Sequence, residues 1–251
     1  MPELIRLAVG VEYDGTAYAG WQTQQSARSV QRAAEAAFSK IANEPISLIC
    51  AGRTDAGVHA LAQVATFVTA SPIPEANFVK ALNDTLPATI RVLEAKQVTE
   101  DFHARKSARR KTYRYRIYRG AICPPFLARY VWHYPYPLDE DAMAEAAKFI
   151  LGEHDFTSFA ALDPEKGADE TSHIRKIFSS SWQRDGDELL YTVEGSGFLH
   201  HMVRNLVGTF LLVGKGTWLA SDTDRILAEK NRSSAGATAP ARGLWLVKVE
   251  Y

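Results

Sequence analysis

Between Leu4 and Tyr13 the segment LIRLAVGVEY sets Leu7, Val9 and Val11 at alternate positions, which predicts a strand with one buried face. A turn-rich stretch, DGTAYAGWQTQQ, follows. Ser29 then stands before VQRAAEAAFSKIA, where Val30, Ala33, Ala34, Ala37, Phe38 and Ile41 keep helical spacing, so a helix capped by Ser29 is predicted. ISLICA (46–51) and AQVATFV (62–68) read as short strands on either side of a glycine-bearing loop. Pro74 opens a second helix through about Leu86, with Phe78, Val79 and Leu82 on one side, and Pro87 stops it. IRVLEAKQV (90–98) is a strand. The order strand, helix, strand, strand, helix, strand is that of the split βαβ, ferredoxin-like motif.

The second half repeats the order with other residues. TYRYRIYR (112–119) is a strand, and Asp139 caps a helix that runs to Leu151 and ends at Gly152. IRKIFSSSWQ (174–183) and ELLYTVEG (188–195) are strands joined by the turn Arg184-Asp185-Gly186-Asp187. FLHHMVRNLVGTFLLVG (198–214) is a largely apolar helix, Ser221 starts a further short one, and LWLVKVEY alternates Leu244, Leu246 and Val247 or Val249 as a closing strand. The fold class expected is α+β: two ferredoxin-like, RRM-like halves (1–104 and 105–251) with mostly antiparallel sheets and an active-site cleft between them.

Composition bounds the rest. The chain has 251 residues, 46% hydrophobic and 23% charged, with mean hydropathy −0.19; a disordered or fibrous chain is excluded. Cys50 and Cys123 are too few for a disulfide framework and point to a reducing compartment. With no bilayer-length apolar stretch and an N-terminus that reads as a strand, a cytoplasmic protein without membrane contact is expected.

Net charge is zero, with 29 basic and 29 acidic residues, yet the charges are segregated. RKSARRKTYRYRIYR (105–119) holds Arg105, Lys106, Arg109, Arg110, Lys111, Arg114, Arg116 and Arg119 with no acid, interleaved with Tyr113, Tyr115 and Tyr118. Compensating acids sit in 139–145 and 163–170. Such a run is a solvated strand face or, because like charges repel unless a polyanion neutralises them, a phosphate-binding surface.

In Cys50-Ala51-Gly52-Arg53-Thr54-Asp55-Ala56-Gly57-Val58-His59-Ala60, two glycines bracket Arg53, Thr54 and Asp55, so the backbone can take positive φ on either side. A hairpin turn in which Asp55 bonds backbone amides is one reading. Gly-Asp turns are common, which favours that reading; against it, the loop is longer than a tight turn needs and carries one acid and one base between core-like strands, so a working carboxylate stays open beside it.

GRTDAGVHA resembles the active-site motif of the TruA family of tRNA pseudouridine synthases. EYDGTAYAGWQ, FHARKSARRKTYRYRIY, DFTSF (155–159), FLHHMVRNLVG (198–208) and GLWLVKVEY stand in that family's order along essentially the whole chain. The resemblance implies isomerisation of uridine to pseudouridine at positions 38–40 of the tRNA anticodon stem-loop, by a homodimer without cofactor or metal. It implies that Asp55 is the catalytic residue, that Tyr113 packs against the target base, and that Arg204 is the ion-pair partner of the aspartate. It further implies an apolar pocket role for Leu246 and a part for Arg53 in holding the target base's place. Arg105, Lys106, Arg109, Arg110, Lys111 and Arg114 are the candidates for RNA-backbone contacts.

The chemistry suits these residue types. The glycosidic C–N bond breaks, the ring turns, and C5 joins the sugar; a carboxylate serves as nucleophile at ring C6 or sugar C1′, or as base in an elimination. Burial raises a carboxyl pKa and a nearby guanidinium lowers it again. A flipped base needs a new stacking partner, which an aromatic face supplies. Each residue also has a plainer role. Tyr113 at strand spacing packs a sheet, Arg204 on an apolar helix needs an acid that Asp155 or Glu194 would also supply, and Trp21 either stacks on a base or closes the core. His200 and His201, with His59 and the two cysteines, suggest a metal site, but adjacent histidines on a helix point about 100° apart and cannot chelate like an i, i+4 pair, so no metal is expected. Gly214-Lys215-Gly216-Thr217 reads as a helix end rather than a phosphate loop. A non-catalytic RNA-binding protein of two RRM-like halves is the rival reading; a metal-dependent nuclease would need clustered acids on strand ends and ranks last.

Overall fold

The computed structural model describes residues 4–162 and 172–251; the acidic run 163–170 lies outside the described residues. The chain forms two units, Met1–Arg109 with Trp245–Tyr251, and Arg110–Leu244.

The first unit contains β1 (Ile5–Tyr13), α1 (Val30–Ala42), β2 (Ile49–Cys50), β3 (His59–Thr69), α2 (Glu75–Thr85) and β4 (Ile90–Val98), in the predicted order. β1 lies between β3 and β4, antiparallel to both, and β2 pairs antiparallel with β3 at Ile49↔Thr66. Alternation along β1 buries Leu7, Val9, Val11 and Tyr13. The Ser29 hydroxyl accepts from the Arg32 N–H to cap α1, and Asn43 closes it in the left-handed region. Phe38 of α1, Phe67 of β3 and Phe78 of α2 pack with ring centroids 5.2 to 5.9 Å apart, which fastens both helices to the sheet. Removing one such buried ring costs about 3–5 kcal/mol.

β2 is shorter than the pattern 46–51 predicts because side chains of α1 occupy the backbone there. Ser39 Oγ accepts from the Ile46 N–H at 2.9 Å, Glu35 Oε1 from the Leu48 N–H at 2.9 Å, and Gln31 Nε2 donates to the Leu48 carbonyl at 3.2 Å. The closing strand, Leu244–Glu250, belongs from Trp245 onward to this unit rather than to the second half in which its sequence position falls. Trp245 and Leu246 pair in parallel with His59 and Ala60 of β3, and the Arg109 N–H donates to the Glu250 carbonyl at 2.8 Å.

The second unit contains β5 (Arg110–Tyr118), β6 (Trp132–His133), α3 (Glu140–Lys148), β7 (Gly152–Asp155), β8 (Ile174–Asp185), β9 (Glu188–Gly195), α4 (Met202–Gly214) and α5 (Asp222–Glu229). Antiparallel strands run in the order β5-β9-β8-β7, and β6 adds a short parallel pairing to β5. Odd-numbered residues of β5 (Tyr113, Tyr115, Ile117) are buried while Arg114 and Arg116 stay half-exposed. Phe210 of α4 meets Tyr191 of β9 at 5.4 Å. A segment after α5 lies so close on α4 that a Cβ on Gly208 would sit 1.8 Å from the Ala237 carbonyl oxygen. α4 ends at Gly214 as expected, but it begins at Met202, four residues later than the apolar run suggests, because His201 adopts φ +58°. No helix among the described residues is long and apolar enough to cross a membrane.

Candidate active site

The loop between β2 and β3 is braced from the segment that follows β1. The Trp21 N–H donates to the Thr54 carbonyl at 3.0 Å, and the Gly57 N–H to the Tyr18 carbonyl at 3.2 Å. Within the loop the Val58 N–H donates to the Asp55 carbonyl at 3.1 Å, closing a turn whose third residue, Gly57, has φ +78°. That conformation belongs to glycine at the third position of a type II turn. Gly52 takes no positive φ; its carbonyl accepts from Gln63 Nε2 at 2.7 Å instead. Below the loop the Tyr13 hydroxyl and Thr54 Oγ1 hydrogen-bond at 2.7 Å, and burial pushes the Tyr13 hydroxyl far above the usual tyrosine range, keeping it protonated. The outcome is an exposed Arg53, a buried Thr54 and a half-buried Asp55 on consecutive residues. Trp21 is 1% exposed and lies 5.8 Å from the Tyr13 ring, so it closes the core and is no stacking platform.

His59, four residues beyond Asp55, is fully buried, and sequence reasoning gave it no role beyond a doubtful metal ligand. Its Nδ1 accepts from the Gly15 N–H at 3.1 Å, lies 3.3 Å from Asp14 Oδ1, and its ring stacks on Trp245 at 4.4 Å. Asp14 in turn accepts from the Thr16 N–H and hydroxyl. These contacts fix the start of β3 to the loop after β1 and to the closing strand. Leu246, fully buried beside Ala60, is thereby brought to the same end of the first unit as Asp55 and Arg53.

The other predicted site residues belong to the second unit. Tyr113 is 7% exposed and meets Phe198 edge-to-face at 5.0 Å. Arg204 lies in the first turn of α4, where its Nε donates to the Ala239 carbonyl at 2.8 Å and its own carbonyl accepts from the Ala239 N–H. Both alternative acids for Arg204 are engaged elsewhere. Glu194 takes Arg110 at 2.7 Å. Burial opposes ionisation of Asp155, but Thr157 and Lys230 outweigh it and hold the carboxyl below its usual range. His200 and His201 precede α4 instead of lying on it, and their rings stand 3.9 Å apart, so the divergence expected of helix neighbours does not apply to them.

The basic run is less uniform than its composition suggests. Register places acids of β9 diagonally across from β5, so Arg110 pairs with Glu194 and Arg116 binds Glu188 through two contacts of 2.7 and 2.6 Å. Arg119 is 9% exposed and pairs with Glu140. Arg105, Lys106 and Arg109 are exposed, and their side chains form no ion pair among the described residues. Arg105 and Lys106 sit on a turn whose N–H groups donate to His103 Nδ1. Phosphate binding should therefore divide along the run. Alanine at Arg105, Lys106 or Arg109 is expected to weaken binding of a phosphate polyanion and reduce its log–log salt slope by about 0.7–0.9 each, and alanine at Arg116 to leave the slope within error; titrations at several salt concentrations read both.

The model of the family described as tRNA pseudouridine synthase matches residues 10–105 and 146–251. The chain belongs to the tRNA pseudouridine synthase family. The match includes the braced loop with Asp55, the start of α4 with Arg204, and the closing strand. The tRNA pseudouridine synthase A of Solibacter usitatus is 47% identical over 246 residues, which is 98% of this chain and 99% of that protein. Proteins of the same name from Cronobacter sakazakii and from a Thermoanaerobacter species are 43% and 44% identical, covering 99% and 96% of this chain and 90% and 97% of their own. A solved structure described as "Crystal Structure of a Cbf5-Nop10-Gar1 Complex" covers 96% of this chain and 48% of its own at 13% identity, with a TM-score of 0.39, a likeness too weak to carry weight. As a member of the pseudouridine synthase family the chain is an isomerase that acts on uridine in tRNA.

Proposed function

We propose that this pseudouridine synthase modifies positions 38–40 of the tRNA anticodon stem-loop, with Asp55 as the nucleophile acting on a flipped-out uridine. The observation that carries the reading is the half-buried Asp55 on a turn braced by backbone hydrogen bonds from the segment after β1. A turn held on several sides places a carboxylate reproducibly, which covalent catalysis demands. The atoms balance without a co-reactant: the N1–C1′ bond breaks, a C5–C1′ bond forms, and the proton lost from C5 is matched by one gained at N1.

In this reading Arg204 is the ionic partner of Asp55, Arg53 holds the place of the flipped base, and Leu246 supplies an apolar pocket wall. Tyr113 stacks on the target base, with Phe198 behind it. The exposed cations at 105, 106 and 109 take RNA phosphates, and two copies of the chain share one tRNA. Base–aromatic stacking contributes about 1–3 kcal/mol. Tyr113→Phe should therefore keep most of the rate, and Tyr113→Ala should lose about 5- to 100-fold at a temperature where both remain folded. An alanine variant as fast as the wild type would remove the stacking role. A purely RNA-binding protein predicts saturable tRNA binding with no pseudouridine formed, so single-turnover product analysis separates it from the enzyme.

A further inference from the structure

Resting on the assignment of Asp55 above, we infer that Tyr13 is a positioning residue of the active site, acting through Thr54 on the backbone that presents the neighbouring carboxylate. Four observations converge on it. Tyr13 is 2% exposed and its hydroxyl lies 2.7 Å from Thr54 Oγ1, a contact spanning 41 residues. Thr54 immediately precedes Asp55, is 7% exposed, and has its carbonyl taken by the Trp21 N–H, so the residue is held from side chain and backbone together. Gln63, fully buried, flanks the Tyr13 hydroxyl and donates through Nε2 to the Gly52 carbonyl, three residues before Asp55. Tyr13 ends β1, whose pairing with β3 is regular up to Val11↔Gln63 and shifts before Tyr13↔Ala60. Beyond that shift Tyr13 pairs with Ala60 at the start of β3, and its hydroxyl reaches back to the preceding loop at Thr54.

The energetic logic follows from burial. A phenol and a threonine hydroxyl enclosed in a core satisfy one another; deleting the phenol oxygen leaves Thr54 Oγ1 desolvated without it, and deleting the threonine hydroxyl leaves the phenol with Gln63 alone. The loop then either turns Thr54 toward another donor or admits water, and each shifts the following peptide. Displacement of a reacting group by about 1 Å costs roughly a hundredfold in rate. The Tyr13 ring also packs on Trp21, which is why phenylalanine, keeping the ring and deleting the oxygen, is the informative replacement.

The test compares Tyr13→Phe, Thr54→Val, the double variant and Thr54→Ser in tRNA pseudouridylation, with kcat and KM measured separately, thermal melts in parallel, and Asp55→Asn as reference. Expected are a kcat at least about tenfold lower for Tyr13→Phe and for Thr54→Val with KM for tRNA unchanged. The double variant should be no worse than either single one, and Thr54→Ser, which restores the hydroxyl, should approach the wild type. Wild-type kcat in Tyr13→Phe overturns the proposal, as do losses that multiply in the double variant or a melt that falls with no change in kcat. Should Tyr13→Phe fold poorly, Thr54→Val against Thr54→Ser decides alone. An inactive Asp55→Asn beside a fully active Tyr13→Phe sinks only the positioning role, whereas an active Asp55→Asn sinks the assignment on which it rests.

Discussion

Asp55→Asn is expected to lower the rate of pseudouridine formation by about ten-thousandfold while tRNA affinity stays within about twofold. The amide is isosteric with the carboxylate and accepts through one oxygen, so the turn closed by the Asp55 carbonyl and the Val58 N–H should persist. What is lost, on the proposed mechanism, is the nucleophile, and losses of that size follow when a covalent catalyst's attacking group is removed. Affinity is set mainly by contacts to phosphates, which the substitution leaves alone. Single-turnover rates and filter-binding on the same preparation separate the two quantities. A variant that binds normally and turns over within tenfold of the wild type would show that Asp55 is a turn residue and nothing more.

Gly20→Ala should damage the site strongly while leaving every chemical group of it in place. Gly20 has φ +94°, which a side chain resists, and a Cβ there would stand 2.6 Å from the Thr54 carbonyl oxygen and 3.1 Å from the Asp55 carbonyl carbon. The backbone cost of about 1–2 kcal/mol adds to an overpacking cost of about 1–3 kcal/mol, and the atoms forced to move are those that carry Asp55. We expect stability to fall by about 2–5 kcal/mol, and kcat of the folded fraction to fall with it by about tenfold or more. Gly186→Ala is the control: its φ is +55° but nothing lies within 4 Å of the new methyl, so only the backbone cost applies and kcat should not change. Equal effects of the two substitutions on kcat would mean that contact between residue 20 and the loop does not shape the site.

Local pattern was sufficient for the elements of the first unit. β1, α1 and β4 lie where alternation, an N-cap and helical spacing put them, because each buries one face against a single core. β2 failed that logic at 46–48 because its backbone partners are side chains of Ser39, Glu35 and Gln31, a tertiary choice with no local signature. The start of α4 failed for a different reason: hydrophobic spacing does not report that His201 turns left-handed. Charge was the poorest guide. Arg110 and Arg116 look unneutralised along the chain, yet antiparallel register brings Glu194 and Glu188 to them from 84 and 72 residues away. At the candidate site, Asp55 and Arg53 came from the GRTDAG motif and Leu246 from the family resemblance of the closing block. Tyr13, Thr54, Gly20 and His59 pack against or brace that loop and its flanks through contacts between distant residues, which no spacing rule encodes.

Nucleotide-by-nucleotide mapping of pseudouridine in an unmodified tRNA transcript, after incubation with the wild type and with Asp55→Asn side by side, tests most directly whether Asp55 drives uridine isomerisation at the anticodon stem-loop. The wild type should yield pseudouridine confined to positions 38–40, and the variant should yield none at matched occupancy. Equal yields from both proteins, or wild-type tRNA complexes that never contain pseudouridine, would contradict it.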